Sequence, residues 1–154
     1  MEGCEACKVE EAGNTQGQEF FLVVETQGEL YALRWILVKE VTVLSETEVD
    51  LSIAEPVIRR NGTTVPVHHL WRLVGLSPPK ERQVEIPAVL LEEEKKAMVV
   101  VPERILWRQE ARLQELPTWI RRTPVVGGAI VLESGVVVIA LEPLRVLAVP
   151  GEAA

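Results

Sequence analysis

Apolar and polar positions along the chain fall into short blocks, and no 3.6-residue period lasts long enough for a long helix. Two apolar runs, 20–26 and 30–33, flank Gln27-Gly28. Glycine takes positive φ at little cost, so the pair reads as a hairpin. Residues 34–38 have room for one helical turn, and Val41, Val43 and Leu44 continue as a β-branched third strand. A polar connection, 46–55, leads to two more apolar strands that meet at Asn61-Gly62. The second of these runs through Pro66 into a short helix ending near Gly75. A Pro- and charge-rich linker, 77–82, follows. Runs 86–91 and 97–101 make a hairpin around 92–96; for 107–116, Ile105, Leu106, Leu113 and Leu116 would suit a helix, while Arg108, Glu110 and Arg112 alternate like the solvent face of a strand, and strand is the expectation. Residues 128–133 and 136–141 close a last hairpin around Ser134-Gly135, and 143–147 adds a helical turn with Pro143 in first position.

Short β-branched strands in hairpins, with no helix long enough for a parallel crossover, predict an all-β barrel or sandwich. Residues 57–73 and 125–144 each run strand, glycine turn, strand, short helix. That echo suggests two related barrels, with chance similarity among hairpins as the alternative. A chain of 154 residues suits one domain. We place it at 19–149, with a polar Glu-rich tail at 1–18 and a short tail at 150–154.

Composition removes several function classes. The net charge of -7 argues against a surface built to neutralise phosphates, so nucleic acid is not an expected partner. No eighteen-residue stretch is free of charge, which excludes a helical membrane span. The acids in residues 1–11 do not suit a signal peptide, and the expected location is cytoplasmic. Cys4 and Cys7 are the only cysteines; their Cys-x-x-Cys spacing supplies at most half a zinc site, and a polar tail is the simpler reading.

Catalytic inventory is thin. Asp50 is the only aspartate, which removes paired-aspartate and aspartyl-phosphate chemistry. Ser45, Ser52, Ser77 and Ser134 lack a nucleophile-elbow context, and no phosphate-cradling glycine loop is present. His68 and His69 are adjacent on a strand and point to opposite faces, a poor arrangement for one metal. Trp35, Trp71, Trp107 and Trp119 sit in apolar runs and suit packing better than a ligand site. The expectation is no enzyme, no cofactor and no metal site. A small metal-binding or redox β-barrel using Cys4, Cys7 and the histidines is the distant alternative.

The segment Val57-Ile58-Arg59-Arg60-Asn61-Gly62-Thr63-Thr64-Val65-Pro66-Val67-His68-His69-Leu70-Trp71-Arg72-Leu73-Val74-Gly75-Leu76 resembles the signature segment of the CheW family of chemotaxis adaptors. Phe20-Phe21-Leu22-Val23, Tyr31-Ala32-Leu33 and Val38-Lys39-Glu40-Val41 are similar to the family's opening strands. Ala97 to Val101 resembles its central strand, and 128–141 with Glu142 and Leu147 resembles its closing elements. The resemblance covers about 20–147. It implies two small five-stranded β-barrels packed together with short helical turns. It also implies a non-enzymatic adaptor whose partners are a chemoreceptor's cytoplasmic tip and the regulatory domain of a CheA-type histidine kinase. Val38, Glu40, Asn61 and Gly62 match positions implied to contact partners. Asn61, His69 and Val101 depart from the family's usual Arg, Asp and Asp, so Glu40 lacks its usual arginine unless Arg59 or Arg60 substitutes. These departures describe a divergent member, for which service in another sensory or pilus-motility pathway is the alternative.

Overall fold

The computed structural model describes residues 17–45, 47–53, 55–60, 62–80, 85–117 and 125–147. Cys4, Cys7, Asn61, Trp119 and most of both tails lie outside the described residues. The described strands are β1 (Gln18–Thr26), β2 (Glu29–Arg34), β3 (Val38–Leu44), β4 (Val57–Arg60), β5 (Thr63–His69), β6 (Ile86–Glu93), β7 (Lys96–Val101), β8 (Arg104–Arg112), β9 (Val126–Val131) and β10 (Val137–Leu141). A 3₁₀ turn, Trp35–Leu37, joins β2 to β3; α1 (Leu70–Leu73) follows β5, and a second 3₁₀ turn, Pro143–Val146, follows β10.

They form two five-stranded sheets, ordered β8-β1-β2-β10-β9 and β3-β6-β7-β5-β4. The two orders match piece for piece. Each sheet has a central antiparallel hairpin (β1-β2 or β6-β7) and a second hairpin joined to it by a parallel pair, β10 on β2 or β5 on β7. Each also has an edge strand supplied by the chain leaving the other sheet's hairpin. β3 leaves β2 and pairs with β6, while β8 leaves β7 and pairs with β1. The two sheets are therefore laced together by exchange of edge strands.

Alternation explains the cores. In β6, Ile86, Ala88 and Leu90 fill the second sheet's own interior, while Val89 and Leu91 point into a core shared by both sheets. In β7, Val99 and Val101 take the interior and Met98 and Val100 the shared core. In β1, Phe21 lies inside the first sheet while Leu22 and Val24 reach the shared core. Strands buried on both faces need no polar alternation, which is why these segments read as unbroken apolar runs. Leu70 of α1 and Leu144 of the last 3₁₀ turn plug the shared core. Burying each such side chain contributes roughly 1.5–3 kcal/mol.

The expected barrels are half-barrels: curled sheets that close to different extents. The first is drawn shut where Gln114, just beyond β8, exchanges backbone hydrogen bonds of 2.8 and 2.9 Å with Ala129 of β9. In the second, β3 and β4 remain separate edges. A polar latch ties the sheets at the β1-β2 tip. The Glu103 carboxylate accepts from the Gln27 backbone N–H at 3.0 Å and from the buried Thr26 hydroxyl at 3.3 Å, and Gln27 Nε2 donates to the Ser77 carbonyl.

Candidate interaction surface

The register of β3 against β6 decides where the expected contact residues face. Val38 lies opposite Leu91 and Glu40 opposite Leu90, so one extra residue, a β-bulge, falls between them. Without it, Val38 and Glu40 would share a face. With it, Val38 packs against the shared core and Glu40 turns with Leu90 toward the second half-barrel's interior. The two residues thus serve opposite sides of one strand.

Beyond the bulge, Val41 lies opposite Val89 and Val43 opposite Pro87. Val89 belongs to the shared core, whereas Val41 and Val43 are 44% and 56% exposed. The apolar face between the sheets therefore continues outward along β3 as an uncovered margin. Ile36, on the turn that leads into β3, is 79% exposed. Across the first sheet, the Arg108 guanidinium lies 4.5 Å from the Phe20 ring centre and 5.4 Å from that of Trp35. This stacking shields part of two aromatic faces while leaving the cation in solvent. None of Ile36, Val41, Val43 and Arg108 was among the contact residues named from sequence; Val41 and Val43 stood in a predicted strand, and only the register tells which face they occupy.

Glu40 meets Arg60 across the open seam, Nε to Oε1 at 3.5 Å. The substitute cation is Arg60 rather than Arg59 because of the β4-β5 turn. With Arg60 opposite Thr63 and Ile58 opposite Val65, Arg60 shares the inward face of Ile58. Gly62 closes that turn at φ 78 with open space beside it, a left-handed conformation that glycine adopts readily. Both carboxylate and guanidinium are partly exposed, so the pair orients the strand edges more than it stabilises the fold.

At the far end of the same sheet His68 lies beside Val100 of the shared core and His69 beside Val101 of the interior core, on opposite faces as the alternation required. His69 stacks on Trp71, ring centres 5.1 Å apart and 23° from parallel. Burial, with the nearby Arg72 charge, pushes both imidazoles below the usual histidine range. Among the described tryptophans, Trp35 packs on the shared core, Trp71 on His69, and Trp107 stays 42% exposed with its Nε1 donating to Gln109.

Two five-stranded half-barrels around a shared core, with Glu40 paired across one seam, lead to a family. The model of the CheW-like domain matches residues 21–150. The chain belongs to the CheW-like domain family. The solved structure of scaffolding protein TtCheW from Thermoanaerobacter tengcongensis is similar in fold: its TM-score is 0.65, with 80% of this chain and 88% of that one covered at 17% identity. No curated protein sequence matches the chain. Within this CheW-like domain no described helix is long and apolar enough to cross a membrane.

Proposed function

We propose that this CheW-like domain works as a non-catalytic cytoplasmic adaptor, joining a chemoreceptor's cytoplasmic tip to the regulatory domain of a CheA-type histidine kinase. The observation that carries the reading is the β3 margin. Val41 and Val43 prolong the shared core onto the surface, with Val38 at its buried end and the Glu40–Arg60 pair and Gly62 turn on the strand's other side. An apolar strip bordered by charges is the make-up of a protein-binding surface. Asn61 adjoins Gly62 in the chain and completes the proposed contact set of Val38, Glu40, Asn61 and Gly62.

The inventory is in keeping with that role, since an adaptor acts by holding two partners in one geometry and needs no cofactor. The latch at Glu103 and the plugs Leu70 and Leu144 hold the two half-barrels in one relation, which such bridging requires. Val38 is half-buried, so substitution there would disturb packing as well as contact. Val41→Lys is the cleaner test. It should weaken binding to the receptor tip about tenfold, the consequence of losing roughly 1.4 kcal/mol at an anchor. Thermal unfolding should stay within about 0.5 kcal/mol of the parent. Unchanged receptor binding would remove the β3 margin from the account.

A further inference from the structure

The open seam of the second half-barrel is a candidate site separate from the β3 margin. Its cleft of about 340 Å³ is lined by Leu44, Glu48, Val57, Ile58, Arg59 and Arg60. The hydrogen-bonding pattern of β4 shows what faces it. Val67 donates to the Pro56 carbonyl, so residues 56 and 67 form a bonded pair, and in an antiparallel ladder bonded pairs alternate. Ile58 with Val65 and Arg60 with Thr63 are then the next bonded pairs. Val57 and Arg59 consequently turn their N–H and C=O groups away from β5, toward the cleft. β4 is an edge strand, so no described strand answers them.

Side chains alternate to match. Ile58 and Leu44 form an apolar floor, whereas Arg59 lies on the opposite, exposed face. Arg60 is engaged by Glu40, and the Glu48 carboxylate accepts from the Ser45 backbone N–H and hydroxyl. Arg59 is left as the cleft's cation that no described carboxylate engages.

We propose that the β4 edge accepts an extended segment of a partner protein as an added strand. The segment hydrogen-bonds to Val57 and Arg59, sets an aliphatic residue over Ile58 and Leu44, and sets an acidic residue against Arg59. Unpaired edge groups recruit such strands, and period-two alternation of acid and aliphatic residues is what this edge reads. The cleft shares Arg60 with the proposed adaptor contacts, but the backbone groups of Val57 and Arg59 lie outside that contact set, and their protection is read with neither receptor tip nor kinase present, so either reading can fail alone.

The test uses the full chain and a short blocked peptide of alternating glutamate and valine, followed by amide hydrogen exchange. The Val57 and Arg59 amides should exchange freely in the protein alone and slow at least tenfold with peptide. A version of the peptide N-methylated at alternate residues should give no protection. Arg59→Pro removes one cleft-facing N–H without touching the bonds to β5, and should weaken binding about fivefold to tenfold. Arg59→Glu keeps the backbone and should weaken binding by charge, which guards against a folding defect in the proline variant. Absence of protection at Val57 and Arg59 with millimolar peptide, or equal protection by the N-methylated peptide, overturns the proposal.

Discussion

At Gly128 a side chain has nowhere to go. A Cβ there would sit 2.5 Å from the Gln114 carbonyl oxygen, the group that pairs with Ala129 to draw the first half-barrel shut. Gly128→Ala should therefore cost about 1–3 kcal/mol in urea unfolding, the usual range for overpacking, with exchange fastest at Gln114 and Ala129. Arg60→Ala should behave differently. Its ion pair with Glu40 is partly exposed, so stability should fall by less than about 1 kcal/mol, while binding at the β3 side weakens. Thermal unfolding and titration of the same variant separate the two effects. The choice of Arg60 over Arg59 was not legible in the sequence, because Val57 and Ile58 are both apolar and either could face inward; the pairing with β5, which buries Ile58, decides it. Nor was the separation of Val38 from Glu40, because a bulge depends on pairing with a distant strand and leaves no mark in the strand's own composition.

At the scale of elements, β5 carries a prediction for pH. The unfolded chain binds a proton on each histidine near the ordinary value of 6.5, whereas His68 and His69 in the fold titrate lower because of burial and Arg72. Between those values the unfolded chain holds more protons, so stability falls as pH drops through about 6.5 and levels off below the folded values. Urea midpoints should decline from pH 7.5 to 5.5, and the decline should shrink in His68→Gln and His69→Gln; an unchanged slope would contradict the burial reading. Strands buried on both faces, such as β6 and β7, were plain in the sequence as runs of Val, Leu and Met. The hairpins were equally plain, fixed by Gln27-Gly28, Asn61-Gly62 and Ser134-Gly135. The partners of β3 and β8 were not legible, since each is an edge strand that leaves one sheet to finish the other, and its single buried face fits either.

The whole molecule depends on the core that the two sheets share. Leu70 and Leu144 enter it from turns at the ends of corresponding hairpins, and both are almost fully buried. Leu70→Ala and Leu144→Ala should each cost about 2–5 kcal/mol, and calorimetry should still show one transition because neither sheet keeps all its strands without the other. Under the proposed function, that single relation between the half-barrels holds two partners at a fixed separation. Sedimentation velocity of the full chain mixed with a CheA-type kinase regulatory domain and a receptor cytoplasmic tip tests it most directly. One ternary species containing all three components is expected, reduced by Val41→Lys through loss of the receptor tip; sedimentation of the chain alone, free of both partners, would overturn the adaptor role.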